Sequence, residues 1–569
     1  MFDPKKLSKI IEGDVSTSAY SLDKASHDAS LFEVRPTVVV SPKNVADVEK
    51  LVRYVADEAL HRSNSPTQEP KLTLTARSAG TDMSGGPLTE SIVVDFTKSF
   101  NHIKEVKEKA LDPIAGVEIT GFAVTEPGVY YRDFDKATLA TGGQIMPSYP
   151  ASRELCTVGG MVANNSGGEK TLTYGKTERY VRRLNMVTAD GKQHEFRPLT
   201  MHELEQAKKF PSFESDIYRK MHELIDNNYD LLQKAKPVVS KNSSGYFLWN
   251  VWDKEKGIFD LTKMIVGSQG TLGLVTEIEF ALVKPKKYSH MVVVFLKDLA
   301  QLAPTATHIM EFKPESFESY DDHTFKVALK FLPSLIKRMK GNIISLGLQF
   351  IPEMLAVIRG GVPKMVLMAE FTADTDEEAL RLAVAAHDSL KGIHESSLVT
   401  KTARQSNKYW VIRRESFNML RQHVKGLRTA PFIDDFVVPP ETLPKFLPRL
   451  YAILGQYEHD ITYTIAGHVG DGNFHIIPLM NLNDPKSHTI IEDLSVKVYK
   501  LVHEFNGSIS GEHNDGIIRT PFVKMQYGEE VYKLFEEVKK IWDPQGIFNP
   551  GKKVGGTLEY AFKHLVKNS

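Results

Sequence analysis

CTVGGMVANNSGG, residues 156–168, sets four glycines, two asparagines, a serine and a threonine within thirteen positions. A glycine has no Cβ, so Gly159, Gly160, Gly167 and Gly168 allow the backbone to come close to a flat ligand. Thr157, Asn164, Asn165 and Ser166 offer hydrogen bonds to hold it. Two further stretches have the same character. ARSAGTDMSGG (76–86) follows the strand-like KLTLTA (71–76), and GSQGTLG interrupts the apolar strand pattern of MIVGSQGTLGLVTEIEF (264–280). Small residues in such loops turn N–H groups inward and make concavities that hold phosphates. Any one of them alone reads equally well as a turn. Asp82 argues against an anion in the first loop unless its carboxylate points away.

Around these loops the pattern is mixed. Residues 44–60 carry apolar residues at helical spacing, and SIVVDF (91–96) reads as a strand. Helices and strands punctuated by glycine loops give an α+β nucleotide-binding domain ending near 286. From MVVVFL (291–296) onward, short strands alternate with helices such as DEEALRLAVAAHDSL (376–390), which marks a second domain.

Composition narrows the function. The 569 residues are 41% hydrophobic and 25% charged, with 71 basic and 71 acidic side chains, as in a soluble globular protein. Net charge is zero and no basic patch is interleaved with aromatics, so nucleic acid is not an expected partner. No apolar run reaches the ~18 residues of a membrane span, and MFDPKKLSKIIEGD lacks a secretory apolar core, so a cytoplasmic location is expected. Residues 326–364 hold seven basic side chains against Glu353 alone. That stretch reads either as a helical layer with a solvated face or as a peripheral contact with an anionic membrane at its inner face. Cys156 is the one cysteine, which excludes an internal disulfide and a self-held iron–sulfur cluster. Electrons leaving this chain would go to another molecule.

GHVGDGNFH (467–475) places two histidines seven apart between β-branched, aromatic flanks. Asp471-Gly472 as a two-residue turn opposes His468 to His475, with Cβ atoms ~4.5–5.5 Å apart on one face. The pair is then either half of a metal site or an ordinary cross-strand pair of half-buried histidines.

Eight segments in this order resemble one family: RSAGTDMSGG, EPGV (126–129), CTVGGMVANNSGG, YGKT (174–177), GSQGTLGLVTEIE, GHVGDGNFH, SGEHNDG (510–516) and DPQGIFNPGKK (543–553). They are similar to the vanillyl-alcohol-oxidase/PCMH-type FAD-binding domain followed by the FAD-linked oxidase C-terminal domain of D-lactate, glycolate and D-2-hydroxyglutarate dehydrogenases. The resemblance implies an α+β fold, with a two-part PCMH-type FAD-binding domain (1–286), a cap domain built on an antiparallel sheet with helices (287–540), and a C-terminal segment (541–569) returning to the FAD domain.

It also implies roles. Ser78, Ala79, Gly80, Thr81 and Asp82 would cradle the FAD pyrophosphate. Thr157, Gly160, Asn164, Asn165 and Gly168 would line the flavin, Gly270 and Val275 the nucleotide half, and Asn549 would return to the cofactor. Asp82 stands where a glycine is usual, and Gln269 where a glutamate is usual. The first loop has no histidine for a covalent bond and a buried Cys156 would be inert, so FAD is expected to be non-covalent. His468, His475 and Glu512 would bind a divalent metal, zinc first, and His513 would be the base. Arg413, in competition with Arg414, would hold the substrate carboxylate, with Asn473 also at the substrate. Ile433 stands where D-2-hydroxyglutarate dehydrogenases tend to carry lysine, which favours D-lactate. The expected activity is FAD-dependent oxidation of a D-2-hydroxy acid, with a cytochrome, quinone or flavoprotein as acceptor. Alternatives are the D-2-hydroxyglutarate or glycolate enzyme, or an alkyl-glycerone-phosphate-synthase-like transferase. The last is disfavoured by Gly511-Glu512-His513-Asn514 in place of a histidine run.

Overall fold

A computed structural model describes residues 3–63, 71–330, 361–393, 396–423 and 426–566. The N-terminal half holds two main sheets. The first joins β1 (Asp14–Ser16), β2 (Val38–Ser41), β3 (Leu74–Arg77) and β4 (Ile92–Asp95) in the order β1-β2-β4-β3. β2, β4 and β3 run parallel, and the helix Val45–Ser63 buries Val48, Leu51, Val52 and Val55 in the core below them. RSAGTDMSGG leaves the carboxyl end of β3, where parallel sheets place their ligands.

The second sheet is antiparallel. It joins β5 (Ile103–Ile114), β6 (Val117–Thr125), β7 (Val181–Val187), β8 (Gln193–Phe196) and β12 (Leu274–Leu282) in the order β5-β6-β12-β7-β8. Three two-residue strands, β9 (Leu199–Thr200), β10 (Trp252–Asp253) and β11 (Ile258–Phe259), form a small sheet beside it. The expected strand before GSQGTLG is absent: Thr262–Ile265 is a helical turn, and only the residues from Leu274 extend. Three apolar residues, Met264, Ile265 and Val266, cannot by themselves distinguish a buried strand from a buried helical turn.

The C-terminal half is built on one antiparallel sheet. Its order is β16 (Ser397–Val399), β13 (Tyr288–Leu296), β15 (Met365–Ala373), β14 (Ser316–Asp321), β19 (Thr462–His468), β20 (Asn473–Met480) and β17 (Arg428–Thr429), with β18 (Phe436–Val437) also on β20. MVVVFL is continuously apolar because both faces of β13 are covered. Val292, Val294 and Leu296 join one core with the helices Asp376–Asp388 and Leu443–Leu454. Met291, Val293 and Phe295 meet Tyr409, Trp410 and Ile412 of the helix Ala403–His423 on the other. A sheet buried on both sides loses the polar/apolar alternation.

The chain crosses back inside the helix Gly516–Trp542, before the expected boundary at 540. Ile517, Ile518 and Phe522 pack with the C-terminal core, whereas Val523, Val531, Phe535 and Trp542 pack with the N-terminal one. Beyond it, Leu74 donates to Ile547 O at 2.7 Å and Asn549 donates to Leu74 O at 2.9 Å, so DPQGIFNPGKK extends the β3 edge. Among the described residues no helix is long and apolar enough to cross a membrane. Most of the basic stretch 326–364 lies outside the described residues.

Candidate functional site

The glycine loops and the histidines line one cavity of about 1670 Å³. Small-ligand pockets usually measure ~300–1,000 Å³, so this one has room for a dinucleotide and a second molecule. Its walls include Ser78, Ala79, Gly80, Thr81 and Asp82 from the first loop, and Thr157, Gly160 and Asn164 from the second. Gly270 and Val275 come from the third, and Arg413, His468, His475, Glu512 and His513 from the C-terminal half.

Asp82 has both carboxylate oxygens engaged by donors of the wall itself. Its Oδ2 accepts from Ser84 N, Ser84 Oγ and Gly86 N, and its Oδ1 accepts from Asn164 Nδ2 at 2.6 Å. Gln269 continues this network, donating to Ser84 Oγ and Asn164 Oδ1 and accepting from Gly516 N. Three walls of small residues face the cavity, which suits a ligand the size of FAD.

Three residues expected at the cofactor stand behind the wall instead. Asn549 is buried, donating to Gly86 O at 2.9 Å and Gln269 O at 2.7 Å, so it clamps the first loop to the third. Asn165 ends the helix Val158–Asn164 in the left-handed region (φ +49°), and its Oδ1 accepts from Glu178 N. Gly168 is needed for packing: a Cβ there would lie 2.2 Å from Tyr149 O. Cys156 lines the cavity, but burial pushes its thiol up to about 12, leaving little thiolate to react.

The hairpin differs from the expected two-residue turn. Val469–Asp471 forms a 3₁₀ turn closed by Gly472 at φ +66°, so His468 pairs with Asn473 and Ala466 with His475. The register has moved by two residues. An even slip preserves the face, and the two rings still meet edge to face with centroids 5.3 Å apart.

Each imidazole is anchored from behind. His468 Nδ1 donates to Glu318 Oε1 at 2.7 Å, and His475 Nδ1 donates to Asp434 Oδ1 at 3.1 Å. His513 Nδ1 donates to Asp434 Oδ2 at 2.6 Å, with its ring stacked 5.1 Å from that of His475. Nδ1 protonation leaves each Nε2 as the free nitrogen. Glu512 stands between them, 3.4 Å from His468 Nε2 and 4.0 Å from His475 Nε2. One donor atom each from His468, His475 and Glu512 lies within 4.8 Å of the others.

Asp435 fixes the loop carrying Glu512 and His513. It sits at φ +73° and accepts from the backbone N–H of both residues and from Ser510 Oγ. Asn473 also donates to Asp435 and to Phe436 O. Wholly buried and off the cavity wall, it supports this turn rather than touching a substrate as expected. Asn514 donates to Asn164 O and Gly267 O, joining the same loop to the second and third glycine segments.

The side chains touching the imidazoles, with their own partners, hold four buried carboxylates: Glu318, Asp434, Asp471 and Glu512. Against them stand two permanent cations, Lys241 and Arg413. Buried Asp435 beside His513 adds a fifth carboxylate, and buried Lys176 and Arg519 add cations near it. Burial opposes charging His513, but Asp434 and Asp435 outweigh it and raise the ring to about 9. His468 rises likewise, Glu318 and Glu512 overcoming its burial. A site that draws protons onto its ligands has the charge to attract a dication.

Arg413 lines the cavity with its guanidinium paired to Glu318 at 2.5 Å, and Arg414 pairs with Glu169 at 2.5 Å. Ile433 is wholly buried in the core and does not line the cavity. Glu318, Asp434, Asp435 and Lys241 were not anticipated. FIDDFVV (432–438) carried a signal, since two acids inside an apolar run need buried partners.

Residues 36–197 match an FAD binding domain profile, and 285–553 match the C-terminal domain of FAD linked oxidases. The chain is 25% identical over 551 residues to a D-2-hydroxyglutarate dehydrogenase of Escherichia coli, covering 95% of this chain and 50% of that protein. It thus spans about half the length of the first curated relatives it matches. It is 26% identical over 555 residues to a D-lactate dehydrogenase of Archaeoglobus fulgidus, covering 96% and 98% of the two chains. The solved structure of p-cresol methylhydroxylase aligns over 98% of this chain and 96% of its own, with a TM-score of 0.64 at 14% identity. That likeness gives the fold, which is PCMH-type.

Proposed function

The chain belongs to the FAD-linked oxidase family, and from that premise we propose an FAD-dependent dehydrogenase that oxidises a D-2-hydroxy acid to the 2-oxo acid. The observation that carries the reading is the anchored His468, His475 and Glu512 facing the same cavity as the glycine loops. Those three side chains would hold the cation, zinc first, because two imidazoles and a carboxylate leave positions open. When bound, FAD accepts the hydride and the cation polarises the substrate's oxygens.

The rest is done by the chain. Asp434 holds His513 through Nδ1, so the neutral ring turns Nε2 to the hydroxyl proton. The carboxylates alone raise the ring to about 9, and a bound dication would lower it into the range where it can accept. Arg413 holds the substrate carboxylate from the cavity wall, as a planar guanidinium does best. The glycine loops position FAD, without a covalent bond, against that acid. The electrons then pass to a cytochrome, quinone or flavoprotein acceptor, since one cysteine cannot build a cluster within these 569 residues.

For the acid itself, position 433 does not choose between D-lactate and a dicarboxylic acid, because Ile433 is buried in the core away from the cavity. Arg153, Arg414 and Arg428 on the cavity wall favour a second carboxylate, as in D-2-hydroxyglutarate. The test is anaerobic flavin bleaching of the FAD- and zinc-loaded protein with D- and L-lactate, D- and L-2-hydroxyglutarate, and glycolate. Bleaching by a D-acid is expected. If none of these acids bleaches the flavin, the proposal falls.

A further inference from the structure

Lys241 has no part in the chemistry above, yet its ammonium is wholly buried against the donor set. Nζ lies 2.6 Å from Glu512 Oε1, 3.2 Å from Asp471 Oδ2 and 3.4 Å from Gly168 O. Its partners belong to the donor loop, the histidine hairpin and the second glycine loop. A buried ion pair is a weak source of stability, because desolvation offsets most of the attraction. An apolar side chain would fill the space at less cost. The contact with the donor oxygen is what sets this lysine apart.

A fixed positive charge at hydrogen-bond distance from Glu512 does two things. It engages Oε1, and it raises the electrostatic potential where a cation would sit. Accordingly, and resting on the reading of His468, His475 and Glu512 given above, we propose that Lys241 is a positioning residue that weakens the site's hold on its cation. It keeps Glu512 from becoming an unopposed two-oxygen donor, so the ion stays electrophilic toward the substrate. Affinity for the ion and rate of turnover should then move in opposite directions when this charge is removed.

The experiment uses the FAD-loaded protein and cobalt(II) alone, with binding read by calorimetry and by chelator competition. Wild type should bind one cobalt ion. Lys241→Met should bind it at least tenfold more tightly and turn over more slowly at saturating cobalt, while Lys241→Arg should return both values toward wild type. Weaker or unchanged cobalt binding by Lys241→Met overturns the role of Lys241 and leaves the donor set standing. No cobalt binding by wild type overturns the donor set, and the lysine proposal with it. Should Lys241→Met not fold, Lys241→Gln keeps a hydrogen-bond donor and removes the charge. Cobalt binding should then tighten severalfold, and unchanged or weaker binding overturns the proposal.

Discussion

In the glycine loops the ligand-facing groups are backbone and small side chains, and Asp82, Gln269 and Asn549 bond one loop to the next. In the imidazole corner the arrangement is reversed. Side chains face the cavity, and the backbone N–H groups of Glu512 and His513 bind Asp435. The first region depends on shape, so it should be damaged by an added methyl group and indifferent to charge farther off. The second depends on charge and aim, so it should be damaged by isosteric changes that leave its volume alone.

The sharpest way to break this contrast is at the donors. His468→Ala, His475→Ala or Glu512→Gln should lower turnover by more than the ~10–100-fold typical of an outer partner, with FAD content unchanged by absorbance. Loss of flavin from these variants would show that the two regions are one folding unit. Asp434→Asn tests aim alone, since it keeps the size of the residue that holds His475 and His513. A fall of about 10–100-fold in kcat, again with full flavin, is expected.

From the other side, Gly168→Ala adds one methyl group 2.2 Å from Tyr149 O. It should cost ~1–3 kcal/mol in denaturant unfolding and reduce flavin occupancy. Arg413→Lys should raise KM about tenfold through the loss of the planar fork, and Arg414→Lys should leave it nearly unchanged. The reverse result would assign the carboxylate to Arg414.

The smallest effect compares the buried corner with a charge cluster elsewhere. Burial works against charging His194, but hydrogen bonds to Asp190 and Glu214 outweigh it and raise the ring from 6.5 to about 9. The folded state therefore favours the protonated ring. Its stabilisation is complete below about 6.5 and lost as pH rises through about 9. His194→Gln should lower the melting temperature slightly at pH 6 and not at pH 10. A deficit that persists at pH 10 would mean that packing, rather than charge, is what His194 supplies.

Legibility followed the same division. The glycine loops could be read because a missing Cβ is a local property. Asp82 was the doubtful residue, and its partners Ser84, Gly86 and Asn164 resolve it. The face shared by His468 and His475 was legible although the register was not, because parity survives a two-residue slip. What could not be read was the support behind the donors. Glu318, the pair Asp434–Asp435 and Lys241 come from three separate places in the chain, and only the fold brings them to the imidazoles. Asn473 and Asn165 look like ligand-binding amides in sequence and are framework in space.

The clamp at Asn549 has a consequence for how such a protein is made. Its carboxamide oxygen accepts from Thr75 Oγ1 across 474 residues of chain, and its nitrogen closes the first loop on the third. Contacts so remote in sequence form late. Half-synthesised chains on the ribosome would therefore carry the glycine segments as open, unlatched turns, and capture of the yellow cofactor would wait until residue 549 has emerged.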